Sequence, residues 1–189
     1  MASSYHISEA QLSTEKEWIL AAQQDIHAFG KLYDFYYKRI FLFIYKRMAD
    51  EDLAADITSQ AFLKAMTNIQ KFNFQGVPFS AWMYRIALNE VNMHYRQDKS
   101  QLHESAEKSQ LADILEETEE KVDEDLLKHL AKALETLSTE DMQLVSLRFF
   151  EELSFKEVAD IVGITENNAK VKVYRILEKI KKKMGKVES

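Results

Sequence analysis

The chain has 189 residues, of which 46% are hydrophobic, with one proline, four glycines and no cysteine. That is enough apolar mass for one core or two small ones, and too few chain breakers for much besides helix. The lack of cysteine excludes disulfides and thiolate metal sites, while the formal charge of −6 argues, as an average, against a nucleic-acid partner.

Charge is segregated along the chain. Residues 1–96 carry ten basic and ten acidic groups, residues 97–127 three and eleven, residues 128–163 four and seven, and residues 164–189 eight and three. The carboxyl end is thus a local cation on an acidic chain, and a candidate DNA-binding face. The five histidines, His6, His27, His94, His103 and His129, fall at no ligand spacing, so no metal or other cofactor is expected. No paired acid and base, nucleophile constellation or Gly-rich phosphate loop is present, which argues against an enzyme. No apolar run approaches the roughly 20 residues of a membrane span, and the amino end lacks a basic segment leading into an apolar one, so a soluble, cytoplasmic protein is expected.

The fold class predicted is all-α: two small helical domains, over 15–97 and 125–185, joined by an acidic linker over 98–124. From Glu15 to Arg96 the sequence reads as helices, with Phe29, Leu32, Tyr33, Tyr36, Ile40, Phe43 and Ile44 forming an apolar stripe at helical spacing. Gln75-Gly76-Val77-Pro78 marks a loop flanked by Phe72, Phe74 and Phe79, and a further helix begins at about Phe79. The linker has no aromatics and many carboxylates, which suits a solvated tether. Beyond it, Leu126, Leu130, Leu134 and Leu137 share a helical face. Ser138 and Ser154 each open a capping box, the first leading a helix to about Phe149, the second a short helix ending at Gly163. Thr165 caps a last helix to about Lys183.

The last two helices have the marks of a helix-turn-helix. Ala159 is small enough for close packing, and Gly163, four residues on, tolerates positive φ at the turn. Val158, Val162 and Ile164, with Ala169, Val173, Ile176, Leu177 and Ile180, hold the pair together, the last five on one stripe. Asn167, Asn168, Val171, Tyr174 and Arg175 then project outward with Lys170 and Lys172 beside them. Such a face suits the major groove, where Arg and Lys pair with guanine edges, Asn with adenine, and methyls with thymine. The lysines at 179, 181–183 and 186 serve equally well as phosphate contacts or as a solubilising end.

The string LSTEDMQLVSLRFFEELSFKEVADIVGITENNAKVKVYRILEKIKKKM from Leu137 resembles the carboxyl-terminal domain of sigma factors, which reads the minus-thirty-five promoter element. DLAADITSQAFLKAMTNIQKFNFQGVPFSAWMYRIALNEVNMHYRQ from Asp52 is similar to the other principal sigma domain, with the signature PFSAWMYRIALN. Two such domains and a short linker resemble the extracytoplasmic-function group of the sigma-70 family. The resemblance implies promoter recognition, strand opening and transcription initiation, with core RNA polymerase (its clamp helices and flap), promoter DNA and an anti-sigma factor as partners. It implies that Asp56, Thr58, Ser59, Gln60 and Phe62 dock on the clamp helices. It implies that the loop from Lys71 to Phe79 and the helix bearing Trp82, Arg85, Asn89, Asn92 and Arg96 hold the melted minus-ten strand, with Trp82 itself expected to pack in the core. It places Asn168, Lys170, Val171, Lys172, Tyr174 and Arg175 on minus-thirty-five DNA. Asn168-Ala169-Lys170-Val171-Lys172 stands where relatives commonly have Thr-Val-Lys-Ser-Arg. A helix-turn-helix regulator with an amino-terminal sensing domain is the alternative, and PFSAWMYRIALN argues against it.

Overall fold

The computed structural model describes residues 9–73, 78–98 and 124–185. The expected loop at Gln75-Gly76-Val77 with Phe74, the body of the acidic linker, His6, His103 and Lys186 lie outside the described residues. Every regular element described is helical, and no described helix is long and apolar enough to cross a membrane. The helices form two compact units.

The amino-terminal unit comprises α1 (Glu9–Gln24), a 3₁₀ turn (Ile26–Phe29), α2 (Gly30–Met48), α3 (Glu51–Asn68) and α4 (Phe79–Asp98). On α2 the apolar periodicity becomes a buried stripe of Leu32, Tyr36, Ile40, Phe43 and Ile44. Tyr33, expected in that stripe, stands outside it at 38% exposure, one residue off the i, i+4 series, with its ring against Tyr37. The helix ends at Ala49, whose φ of 53° is left-handed and whose N–H donates to Tyr45 O at 2.9 Å. Asp50 then caps α3 by accepting the Leu53 N–H at 2.9 Å, with Glu51 and Asp52 favourably placed in the positive first turn.

The buried face of α3 is built around Ala54, Ala61 and Ala65, all fully enclosed. Small side chains at this spacing let α2 and α4 pack against α3. α4 is buried on most of its circumference, through Phe79, Ala81, Met83, Tyr84, Ala87, Leu88 and Val91. Lys64 Nζ on α3 donates to Glu90 Oε1 on α4 at 2.6 Å, satisfying part of a carboxylate that the packing encloses.

The carboxyl-terminal unit comprises α5 (Glu124–Glu135), α6 (Thr139–Val145), a wide turn (Ser146–Phe150), α7 (Phe155–Val162) and α8 (Glu166–Met184). On α5, Leu134 and the following Leu137 are buried and Leu130 is half-buried, but Leu126 is 49% exposed, so the leucine face is core only toward its end. Ser138 Oγ accepts the Asp141 N–H at 3.2 Å, but where a complete capping box has a return bond, the Asp141 carboxylate instead takes Lys179 Nζ of α8 at 2.8 Å. The α-helical hydrogen bonding expected to run to Phe149 stops at Val145. There the ladder widens by one residue, with Glu151 N–H donating to Ser146 O at 3.0 Å. Ser154 and Glu157 form the full capping box, Ser154 Oγ accepting the Glu157 N–H at 3.2 Å and Glu157 Oε2 the Ser154 N–H at 2.8 Å.

Candidate nucleic-acid interface

Gly163 joins α7 to α8 at φ 73°, ψ 36°, the left-handed conformation in which a Cβ is penalised, and Ile164 N–H closes the turn on Ala159 O at 3.0 Å. Thr165 Oγ1 accepts the Asn168 N–H at 3.3 Å and starts α8. Packing against α5 and α6 buries Ala169, Val173, Ile176 and Ile180, while Leu177 is half-buried at the edge. All six residues expected on DNA, Asn168, Lys170, Val171, Lys172, Tyr174 and Arg175, are exposed on the other side. Val171 and Tyr174 keep 40% and 54% of their surface in water between three cations, a cost that a nucleic-acid partner would remove. The Tyr174 ring lies 6.3 Å from Phe155, over which the Arg148 guanidinium sits at 4.9 Å. Arg148 Nη1 also donates to Leu153 O at 2.8 Å, so aromatic and cation support the outer face from α7's side.

In the amino-terminal unit, Arg85, Asn89, Asn92 and Arg96 fall at spacings of four, three and four on α4, which places them on one stripe. Asn89 and Arg96 are exposed, and Arg85 and Asn92 half-buried. At the head of α4, the Phe72, Phe79 and Trp82 rings meet pairwise at centroid distances of 5.4, 5.1 and 5.4 Å. Phe79 is enclosed and Trp82 only half-buried, so Trp82 packs with one part of its indole and offers the other. Lys71 is exposed beside Phe72, its Nζ donating to Asn68 Oδ1 at 2.9 Å. A shallow groove beside this cluster is lined by Lys16, Ile19, Leu20, Gln23, Phe72 and Asn73. Sequence reasoning missed the α1 contribution. Its only signal is the spacing of Glu15, Ile19, Ala22 and Gln23, in a helix whose polar members look like surface.

The expected docking face on α3 divides. Asp56, Ser59 and Gln60 are exposed, whereas Thr58 (0% exposed) and Phe62 (3%) lie on the inner stripe with Ala54, Ala61 and Ala65. Thr58 Oγ1 donates to Ala54 O at 2.6 Å, and the Phe62 ring sits 4.8 Å from Tyr33. These two residues therefore build the helix's seat and leave the surface, a correction that follows from 100° of rotation per residue. Leu63, 56% exposed, takes their place on the outer stripe, following Asp56, Ser59 and Gln60 by seven, four and three residues.

Two family models match the chain: Sigma-70 region 2 over residues 32–101, and Sigma-70, region 4 over residues 127–180. The chain is similar to the ECF RNA polymerase sigma factor BldN of Streptomyces coelicolor, 33% identical over 153 residues, which span 78% of this chain and 57% of that protein. It is also similar to the ECF RNA polymerase sigma factor SigW of Bacillus subtilis, 26% identical over 170 residues and covering 85% and 90% of the two chains. Among solved structures, CnrH in complex with the cytosolic domain of CnrY shares the fold at a TM-score of 0.63 and 20% identity, covering 88% of this chain and 94% of that one. The sigma factor RpoE of Bartonella quintana, solved with the anti-sigma factor NepR, does so at 0.56 and 18%, covering 83% and 96%. With both principal domains matched in order, and relatives of the same kind matched over most of this chain, the chain belongs to the sigma-70 family, as an RNA polymerase sigma factor of its extracytoplasmic-function (ECF) group.

Proposed function

We propose that the protein works in the cytoplasm as a non-catalytic initiation factor that joins core RNA polymerase and sets where transcription starts. In this reading Asp56, Ser59, Gln60 and Leu63 on α3 meet the polymerase clamp helices. The α4 stripe of Arg85, Asn89, Asn92 and Arg96, with Lys71, holds the opened minus-ten strand, because single-stranded bases are captured by stacking, cations and amides. The α8 face enters the major groove at the minus-thirty-five element, where Arg175 and Lys170 suit guanine, Asn168 adenine and Val171 a thymine methyl. The observation that carries most weight is on α8. Its inner side chains form the core of their unit, while its outer side presents cations, an amide and the solvent-exposed Val171 and Tyr174. Because CnrH and the RpoE protein were each solved with a partner, the latter an anti-sigma factor, an inhibitory protein partner is part of the proposal.

The test is reconstituted run-off transcription. Purified protein added to core polymerase should co-elute with it and produce transcripts from discrete starts that core enzyme alone does not make. Failure to bind core, or starts unchanged from core alone, refutes the proposal.

A further inference from the structure

α1 precedes the segment matched by the region 2 model, yet it holds both sides of the aromatic cluster at the head of α4. Glu15 is buried to 3% exposure, and its Oε1 accepts the Phe79 N–H at 2.7 Å across 64 residues of sequence. The first N–H groups of a helix have no partner within it, and here a carboxylate from another helix supplies one, at the end where negative charge is favoured. Eight residues further along α1, Gln23 Nε2 donates to Ile69 O at 3.0 Å and Phe72 O at 2.9 Å, using both of its hydrogens. Gln70 Nε2 donates in return to the Gln23 carbonyl. One rigid helix therefore carries both anchors, about 12 Å apart along its axis.

Burying a carboxylate is expensive, and a serine or aspartate just before Phe79 would cap α4 more cheaply. A local cap, however, would not tie the head of α4 to α1. Only a remote one fixes Phe79 and Phe72 to the same support, and with them Trp82, whose ring contacts both.

We infer that Glu15 and Gln23 are positioning residues for strand capture: α1 is a brace that sets the attitude of the Phe72, Phe79 and Trp82 cluster and of the α4 stripe toward the opened strand. This rests on the sigma-factor reading above. They act through Phe72 and Phe79 and need not touch DNA.

The experiment uses full-length protein assembled with core polymerase. The probe is a fluorescent single-stranded oligonucleotide carrying the non-template minus-ten sequence of a start site mapped for the wild type. Glu15→Ala and Gln23→Ala should each bind the oligonucleotide about tenfold more weakly, a change of about 1.4 kcal/mol, because the cluster loses its fixed attitude toward the strand. Their affinity for core polymerase should be unchanged. Glu15→Gln, whose amide oxygen still accepts from Phe79, should stay within about threefold of wild type. Gln23→Ala decides the matter if Glu15→Ala does not fold. Unchanged oligonucleotide binding in the alanine variants overturns the brace, and so does a parallel fall in core affinity, which marks general loss of fold. A wild-type holoenzyme that ignores the oligonucleotide overturns the strand-capture reading beneath it instead.

Discussion

Replacing Gly163 by alanine isolates one term in the stability of the carboxyl-terminal unit. A Cβ built there meets no atom within 4 Å, so the substitution makes no clash, and its cost is the left-handed backbone alone. That conformation costs an L-residue about 1–2 kcal/mol, while alanine's smaller unfolded-state entropy returns about 0.4–1 kcal/mol. The net loss is about 1 kcal/mol, or about 4–8 °C in the melting transition of a unit this small. Ala49 offers the mirror experiment, because it already holds φ 53° at the end of α2. Ala49→Gly should gain about 1 kcal/mol by the same arithmetic run backwards. Asparagine tolerates this region better than alanine, so Gly163→Asn should fall between wild type and Gly163→Ala. Urea melts followed by circular dichroism measure all three. A neutral Gly163→Ala, or an Ala49→Gly that destabilises, would refute the strain account of these turns.

On α8, Arg175→Ala and Lys170→Ala should each weaken use of a minus-thirty-five-dependent promoter by about 1–3 kcal/mol while core binding stays normal. Equal loss of both in a pull-down and run-off comparison would contradict the division of labour. In the amino-terminal unit, Lys64→Met strands the enclosed Glu90 carboxylate. With the lysine itself half in solvent, about 2 kcal/mol of stability should be lost, measured by denaturant melt, and a double variant with Glu90→Gln should recover part of it. Partial burial, with Tyr37 and Asp34 adding to it, pushes the Tyr33 phenol above its ordinary value. A phenol that keeps its proton more tightly in the fold contributes stability that is whole below the unfolded value of about 10 and fades as pH rises past it. Tyr33→Phe should therefore be less sensitive to alkali than wild type in melts on either side of that pH, and an identical pH slope would contradict it.

The helical class could be read directly, because one proline and four glycines leave the 3.6-residue period unbroken and the apolar stripes of α2 and α8 follow it closely. Caps at Ser154 and Thr165 and the turn at Gly163 were equally plain, since each depends on residues within four positions of one another. Errors arose where a side chain's fate depends on distant chain. Thr58 and Phe62 lie on a helix whose polar and aromatic residues look like a surface, and only the packing of α2 and α4 shows which of them turn inward. Leu63 shows the converse, an apolar residue that the fold leaves 56% exposed. The role of Glu15 was not legible beyond its spacing with Ile19, Ala22 and Gln23, since the backbone N–H it accepts lies 64 residues away.

The extra residue between Ser146 and Glu151 works as a phase shifter. An α-helix advances by about 100° per residue, so a ladder that admits one residue more rotates whatever follows by that angle without altering its sequence. The path from α6 to α7 thus depends on this five-residue turn together with the non-helical residues that follow, where Glu152 holds φ 55° and Leu153 N–H returns to Leu147 O at 3.1 Å.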